Sequence, residues 1–437
     1  MMAKLSNKLG NFDWKMMRGT TLVSLALMMA RVLGLLYGLI LTRALSQADY
    51  GYVEYGLSLG AILAMLTQPF GQHVLARYIG MYVNDKTKLQ EYLNTAWVIL
   101  AALFIGTMAL AFPILAISGK LDIGVVVVYL GTTVFYVYYG LARGYLSNER
   151  LMIAFLGSNA IQLVATIIVY KVLNVTDPLP ALLIYGLSYL PMLWIMSRFM
   201  PLQLGFKLIM PRRDVVVDLL RFSAPIWIGH VCFIVFDSLP TLYLERFTGE
   251  EAVGAYGLAR RLSMVFMFVS QALAAILLPR TAGMTGRAEQ GKLLRNSTIA
   301  YLATSLIPLI GWIFLYNPVA EFVSGPQYRL DSAIYIMMAL ATVIMGVQGL
   351  YEAVLMGRGR ADLAMGSRII GTVVAIVIGL WLVPAYGMAG AAITIFIGSA
   401  ITQVLFMLFI ATGKADQTNI AGDVEGALEN AESVVLR

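Results

Sequence analysis

The sequence MMARVLGLLYGLILTRALSQADYG, residues 28–51, places an arginine inside an apolar segment. The surrounding apolar run, residues 20–42, would extend about 35 Å as an α-helix, which is enough to cross a bilayer. Arg31 falls in the middle of that run. Because a guanidinium at the centre of a membrane costs at least about 2.5 kcal/mol, Arg31 requires a partner, a water-filled cavity or a functional role.

Similar apolar segments recur along nearly the whole chain. Of its 437 residues, 59% are hydrophobic and 13% are charged, whereas soluble domains carry about 25% charged residues. This pattern predicts an all-α polytopic membrane protein with twelve transmembrane helices. The predicted spans are residues 20–42, 52–72, 93–117, 123–145, 151–173, 179–199, 222–244, 254–278, 297–316, 332–356, 366–384 and 387–411.

The basic residues set the orientation of these spans. Most of the 31 Lys and Arg residues fall in the loops and tails on one side of the predicted membrane. Since cytoplasmic loops are enriched in Lys and Arg, we expect a multi-pass protein of the cell (inner or plasma) membrane with both termini in the cytoplasm. The net charge of +7 then reflects topology, and membrane lipids rather than nucleic acid are the expected surroundings.

The two halves of the sequence repeat each other. A shift of 203 residues aligns Gly51 with Gly254, and a shift of 209 aligns Gly157 with Gly366. Six helices are an even number, so both copies enter the membrane from the same side, which is a parallel repeat. The predicted parts are an N-terminal lobe (helices 1–6, residues 1–199), a cytoplasmic linker (200–218), a C-terminal lobe (helices 7–12, residues 219–412) and a cytoplasmic tail (413–437).

Charged residues inside the spans are not repeated. Arg31 aligns with Ile234 in the other copy, and Asp237 aligns with Gly34. Asymmetric charges on a symmetric scaffold favour a site for an asymmetric ligand.

Polar residues form stripes at helical spacing on predicted helices 1, 2, 7 and 8, which indicates one aqueous cavity between the lobes. The candidates for this cavity are Arg31, Arg260 and Arg261 as anion-binding residues, and Glu54, Asp237 and His230 as coupling-ion or ion-pair residues.

Structural roles compete with these assignments. Arg31 would then form a buried ion pair with Asp237 or Glu54 that only locks two helices together. Arg260 or Arg261 would extend toward lipid headgroups. A histidine such as His230 would be an ordinary core residue.

An enzyme is not expected, and neither is a metal or cofactor. The lone Cys232 excludes a disulfide framework and a thiolate cluster. The segment GRAEQGKL, residues 286–293, resembles a phosphate-binding loop, but Leu293 replaces the required hydroxyl residue and no strand precedes it. Because no metal-ligand spacing and no nucleophile–base pair is present, there are no catalytic candidates.

The segment ARVLGLLYGLILTRALSQADYGYVEYGLSLGAILAMLTQPFGQHVLARYI, residues 30–79, resembles the opening of the polysaccharide-biosynthesis flippases of the multidrug/oligosaccharidyl-lipid/polysaccharide exporter superfamily. The shared pattern is an arginine in a glycine-rich first helix, then R-x-L, a short acidic loop, Y-G, and a second helix that ends in a basic residue and Tyr. The segment GAYGLARRL, residues 254–262, opens the second lobe in the same way.

This resemblance implies a flippase that moves polyprenyl-pyrophosphate-linked oligosaccharide from the cytoplasmic to the outer leaflet by alternating access. Its central cavity would be cationic, and Arg31 with Arg260 or Arg261 would receive the pyrophosphate. The partners would be the lipid-linked glycan and a coupling ion, Na⁺ or H⁺, and the protein is expected to be a monomer.

Three alternatives remain. In an ion-coupled exporter of amphipathic cations, Arg31 would be structural and Asp237 or Glu54 would bind the cation. In a flippase for peptidoglycan-precursor lipid, the second helix would be expected to carry a mid-membrane arginine, which this sequence lacks. A scaffold that transports nothing would leave the buried charges without a role.

Overall fold

The computed structural model describes residues 14–68, 74–82, 85–117, 119, 122–145, 148–199, 211–282, 284 and 286–412. Every secondary-structure element in these residues is helical, which confirms the predicted all-α fold. The predicted tail, residues 413–437, and the first part of the linker, residues 200–210, lie outside the described residues.

Fourteen α-helices follow one another along the described chain. They are α1 (Trp14–Ala44), α2 (Gln47–Leu66), α3 (Val74–Tyr82), α4 (Lys86–Ile117), α5 (Ile123–Gly144), α6 (Asn148–Ile167), α7 (Leu179–Leu187), α8 (Leu190–Phe199), α9 (Arg213–Phe247), α10 (Glu250–Ser263), α11 (Met267–Ala282), α12 (Arg287–Ser324), α13 (Ser332–Gly357) and α14 (Ala361–Ala411).

Eight helical segments among the described residues are long and apolar enough to cross a membrane. A further apolar segment, Leu179–Trp194, is shorter because it is divided between α7 and α8. The polytopic membrane fold is therefore confirmed, while the count of twelve spans stays a prediction.

The last long helix, α14, contains a sharp internal break. Gly387 has φ 54° and ψ −127°, which is not a helical conformation. A positive φ is accessible to glycine at little steric cost, and Pro384 just before it removes a helical hydrogen bond. The break lies between the predicted spans 366–384 and 387–411. The chain therefore reverses its direction at this break in α14.

The same helix pairings occur in both halves of the chain. In the first half, α1 packs against α6, α2 against α5, and α5 against α7. In the second half, α9 packs against α14, α11 against α13, and α13 against α14. This correspondence is the one that a parallel repeat requires. The exact lobe boundaries stay a prediction.

The two halves meet where α2 lies against α10. A Cβ atom on Gly51 would overlap the carbonyl oxygen of Glu250, and a Cβ atom on Gly254 would overlap that of Gln47. Glycine at both positions therefore permits direct backbone contact. Gly51 and Gly254 are equivalent in the repeat. Contact between equivalent residues is expected where two related units meet across a two-fold axis.

One end of the bundle is closed by contacts between the halves, and we call it the sealed end (residues 42–54, 241–258 and 316–330). Thr42 Oγ1 lies 2.7 Å from Ser324 Oγ. Gln47 Nε2 donates to the carbonyl of Glu251 over 3.1 Å. Buried side chains from both halves form one hydrophobic core there.

Toward the opposite end, α3, α4 and α9 are held together by hydrogen bonds. Tyr78 and Tyr92 both donate to Asp218 Oδ2, at 3.1 Å and 2.9 Å. The Trp227 indole N–H donates to the carbonyl of Met65 over 2.8 Å. These contacts hold the two halves together along one side of the bundle.

Candidate functional site

A cavity of about 580 Å³ lies between the two halves. Its walls come from α1, α2, α5, α6 and α7 in the first half and from α9, α10 and α11 in the second. It is lined by five of the six predicted site residues, namely Arg31, Glu54, Asp237, Arg260 and Arg261.

Glu54, at the inner edge of the sealed end, connects the two halves. Its carboxylate accepts a hydrogen bond from Nε of Arg261, and its Oε2 lies 3.6 Å from Nη2 of Arg260. The Tyr50 hydroxyl, one helical turn earlier on α2, donates to Oε1 over 2.7 Å. Only 1% of the Glu54 side chain is exposed, so its carboxylate is confined between Tyr50 and the two arginines.

Glycines make room for this ion-pair network. A Cβ atom on Gly257 would lie 2.6 Å from Cγ of Glu54, and one on Gly38 would lie 2.8 Å from Cδ of Arg261. Arg261 Nη1 also donates to the carbonyl of Gly34 over 3.3 Å. Small residues thus let charged side chains occupy the interface between helices.

Arg260 turns toward the second carboxylate of the cavity. Its Nη1 donates to Oδ2 of Asp237 over 2.9 Å and to the backbone carbonyl of Asp237 over 3.1 Å. The Asp237 side chain is 27% exposed, so it is less confined than Glu54. Both carboxylates that line the cavity are therefore paired with arginines of α10.

Arg31 differs from the other two arginines. Its side chain is exposed to the cavity, and it forms no hydrogen bond or ion pair with any residue that the structure describes. The pair with Asp237 or Glu54 considered from sequence is absent from the described contacts, because α10 supplies the partners of both carboxylates. Three arginines facing two carboxylates leave one positive charge in excess, at Arg31.

The role of His230 as a coupling-ion or ion-pair residue stays a prediction, although the structure places His230 outside this cavity. His230 Nδ1 lies 2.8 Å from the carbonyl of Ile226, and the side chain is not among those lining the cavity. His230 precedes Asp237 by about two helical turns, at a level where α9 packs against α14 of its own half. There, Thr372 Oγ1 donates to the carbonyl of Cys232 over 3.1 Å.

A further, partly buried ion pair lies inside the second half. Arg368 Nη2 donates to Oε2 of Glu352, and the Arg368 guanidinium lies 4.5 Å from the ring centroid of Phe233. Sequence analysis did not single out Arg368. Its position near the start of a predicted span resembled an ordinary helix end.

In the described part of the chain, no group of three or more His, Cys, Asp or Glu side chains is arranged to hold a metal ion. The cavity therefore offers charge, hydrogen bonds and aromatic surface.

The sequence of the chain matches the family described as "Polysaccharide biosynthesis protein" over residues 16–285. The chain belongs to this family. The match covers α1 to α11, which include every charged residue described above as lining the cavity.

Two archaeal proteins are similar in sequence to this polysaccharide-biosynthesis family member. One is the probable low-salt glycan biosynthesis flippase Agl15 of Haloferax volcanii, 22% identical over 38% of this chain and 36% of its own length. The other is an uncharacterized membrane protein of Methanocaldococcus jannaschii, 28% identical over 42% of this chain and 43% of its own length. The chain thus matches less than half of each relative.

Solved structures show the same fold. An inward-facing multidrug resistance transporter of the MATE family, in the MOP superfamily, aligns with a TM-score of 0.66 at 17% identity, over 91% of this chain and 100% of its own. The lipid II flippase MurJ in an inward closed conformation aligns with a TM-score of 0.61 at 12% identity, over 89% of this chain and 87% of its own. The family member described here therefore has a transporter fold.

Proposed function

We propose that the protein is a flippase that moves a lipid-linked oligosaccharide across the cell membrane by alternating access. The observation that carries the proposal is the unpaired Arg31 guanidinium in a cavity closed at one end by contact between two related halves. The family match and the similarity to a probable glycan flippase support the same substrate class.

The substrate head group is proposed to enter the cavity with its phosphate at Arg31. A guanidinium binds phosphate oxygens through two parallel hydrogen bonds, and the interaction is strong where water is excluded. Because the described charges leave a single positive charge in excess, a phosphate or pyrophosphate compensates it. The polyprenyl chain would stay in the lipid while the head group crosses.

Asp237 and Glu54 are proposed to neutralise Arg260 and Arg261 while the cavity is empty. Asp237 is the more exposed of the two carboxylates, so an entering phosphate displaces it from Arg260 more easily than it displaces Glu54 from Arg261. A coupling ion, Na⁺ or H⁺, and action as a monomer remain part of this proposal.

Export of cationic drugs is less well supported by the site. A cation-binding cavity needs a free carboxylate, whereas Glu54 and Asp237 are both paired with arginines. The unpaired Arg31 would also repel a cation. The shared fold with a multidrug transporter does not change this argument, since substrate class depends on the residues of the cavity.

The sealed end is proposed to face the outside of the cell. With both termini in the cytoplasm, as the distribution of Lys and Arg predicts, the loop between α1 and α2 would lie at the outer surface. The structure then corresponds to a state with the cavity accessible from the cytoplasmic side, ready to accept a newly assembled glycolipid.

The test is transport by the purified protein in liposomes loaded with a fluorescent polyprenyl-diphosphate oligosaccharide. The Arg31→Ala substitution is expected to lower the rate by about tenfold or more, because hydrogen bonds to charged groups contribute about 1.5–3 kcal/mol. Arg212→Ala is the control, since Arg212 is 67% exposed outside the cavity. Transport by Arg31→Ala at the wild-type rate would overturn the assignment of Arg31.

A further inference from the structure

One wall of the cavity is built almost entirely from aromatic side chains of the first half. These are Phe135, Tyr136, Tyr139, Phe155, Tyr185 and Tyr189, and we call them the aromatic wall. Neighbouring rings are in contact, with the centroid of Phe135 5.3 Å from that of Tyr136, 5.0 Å from that of Phe155 and 5.2 Å from that of Tyr189. The rings therefore form one continuous surface.

The fold itself does not require these aromatic residues. The positions 209 residues later, on the equivalent helices of the second half, are Ile344, Met345, Gln348, Ala364, Thr394 and Gly398. The second half contributes one aromatic side chain to the cavity among its described residues, Phe268. Equivalent scaffold positions thus differ in chemistry, which indicates a ligand that contacts the two walls differently.

Buried polar groups without partners accompany the aromatic wall. Gln162 lines the cavity with only 3% of its surface exposed, and its Nε2 has no hydrogen-bond partner in the described structure. The hydroxyl groups of Thr132 and Ser58, which also line the cavity, are likewise buried and unsatisfied. Buried polar groups are nearly always hydrogen-bonded. These three groups have no partner in the described structure, and a ligand rich in hydroxyl groups would supply one.

The composition of the aromatic wall favours a saccharide over a lipid chain. Four of its six residues are tyrosines, which present a ring face and a hydroxyl group together. The faces of a pyranose ring carry polarised C–H bonds that are attracted to the negative face of an aromatic ring, while its hydroxyl groups bond to polar neighbours. A lipid chain would leave the buried Nε2 of Gln162 without a partner among the described residues.

The aromatic wall begins beside Arg31. Ala30, the preceding residue, is packed in one buried cluster with Tyr139 and Phe155. Gly34 lies one helical turn after Ala30 on α1. A Cβ atom built on Gly34 would lie 3.9 Å from Oδ1 of Asn159. A phosphate held at Arg31 therefore places the sugar attached to it against the aromatic wall.

We infer that the aromatic wall, with Gln162 and Thr132, is the saccharide subsite of the cavity, and that the sugars next to the phosphate stack on it. This inference rests on the proposed function, since it assigns part of the same substrate. A volume of about 580 Å³ lies within the range of about 300–1,000 Å³ of small-molecule pockets. The subsite thus accepts a short saccharide at one time.

The experiment compares two probes on the purified full chain: a polyprenyl diphosphate that carries a disaccharide, and the same polyprenyl diphosphate without sugar. Binding constants are measured for wild type, for the double variant Tyr136→Leu/Tyr189→Leu, for Gln162→Leu and for the control Phe314→Leu. Tyr136 and Tyr189 are only partly buried, so both substitutions are expected to fold, and thermal unfolding of each variant checks this.

Wild type is expected to bind the sugar-bearing probe more tightly than the bare lipid. The double variant is expected to lose at least about fivefold in affinity for the sugar-bearing probe, because each aromatic contact contributes about 0.5–1.5 kcal/mol. Its affinity for the bare lipid should stay unchanged. Gln162→Leu should behave in the same way, and Phe314→Leu, at a position 74% exposed and outside the cavity, should resemble wild type.

Equal affinity of wild type for the two probes would overturn the saccharide subsite, and flipping of the glycolipid would then still support the proposed function. An equal loss for both probes in the double variant would assign the aromatic wall to the lipid chain and also overturn the inference. If wild type bound neither probe and flipped no glycolipid, the proposed function and the subsite would both be wrong.

Discussion

Gly51 of α2 and Gly254 of α10 lie against each other across the interface between the two halves, and the backbone N of Gly254 is 3.0 Å from the position of a Gly51 Cβ atom. The two residues are equivalent in the sequence repeat. Their contact brings α2 and α10 close enough for Glu54, one turn below Gly51, to reach Arg261. The closeness of two backbones thus determines which charges meet in the cavity.

Replacement of either glycine is expected to separate the halves. In Gly51→Ala, the new Cβ atom overlaps a backbone carbonyl oxygen, so α10 must move away. We expect a lower melting temperature, with a cost of about 1–3 kcal/mol as for other overpacked sites, and loss of glycolipid transport. Thermal unfolding and liposome transport measure both effects.

Gly157→Ala is the matched control, since nothing lies within 4 Å of a Cβ atom built at Gly157 on α6. Alanine is the better helix former, so the stability of this variant should equal or exceed that of wild type. If Gly51→Ala transported glycolipid and resisted unfolding as well as wild type, the close backbone contact between the two halves would not be required.

A disulfide across the sealed end is expected to stop transport reversibly. Thr42 and Ser324 lie on opposite halves, with their hydroxyl oxygens 2.7 Å apart. The sequence contains one cysteine, Cys232, so Cys232→Ser gives a background for the pair Thr42→Cys/Ser324→Cys. Oxidation should abolish glycolipid transport, and a reductant should restore it. Undiminished transport in the fully cross-linked protein would contradict alternating access through the sealed end.

Much of the cavity could be predicted from the sequence because it depends on helical periodicity. Arg31, Glu54 and Asp237 fall on polar stripes of separate helices, and a polar stripe in a membrane helix faces protein or water. The sequence repeat indicated which helices are equivalent, and hence that these stripes face a common centre.

The partners within the cavity could not be predicted in this way. From the sequence, an ion pair of Arg31 with Asp237 or Glu54 was the structural alternative to anion binding, whereas Arg260 and Arg261 pair with these carboxylates. The choice depends on distances across the α2–α10 interface, and these distances depend on how closely two glycines approach. His230 was placed in the cavity because it shares a stripe with Asp237. Helical periodicity shows which face of α9 is polar. It does not show at which residue that face no longer lies against the first half of the chain.

The aromatic wall was missed for a different reason. Aromatic residues such as Tyr136 and Phe155 at helical spacing are usual in a membrane protein core. Only the structure shows that they line a cavity together with unsatisfied polar groups.

Removing the charge of Glu54 is expected to cost more stability than removing that of Asp237. Glu54→Gln leaves two buried arginines without their shared carboxylate, and the loss of one partner of a buried pair costs about 3–5 kcal/mol. Asp237→Asn should have a smaller effect, because Asp237 is 27% exposed. Thermal unfolding in detergent measures both changes.

Glu321→Gln provides the baseline for that comparison. Glu321 pairs with Arg329 where the two side chains are 39% and 61% exposed, and such surface pairs contribute about 0–1 kcal/mol. Its melting temperature should stay close to that of wild type. A larger loss of stability in Asp237→Asn than in Glu54→Gln would show that Asp237 anchors the network instead.

Arg31, which is exposed to the cavity, and Arg368, which is partly buried, are expected to respond to substitution in opposite ways. Arg368→Gln removes the partner of Glu352 and a contact with the ring of Phe233, so it should lower the melting temperature and leave the affinity for the glycolipid probe unchanged. Arg31→Gln removes no bonded contact among the described residues, so it should weaken probe binding at nearly constant stability. Glu352→Gln should match Arg368→Gln. Selective loss of probe binding in a stable Arg368→Gln variant would place the Glu352–Arg368 pair on the substrate path.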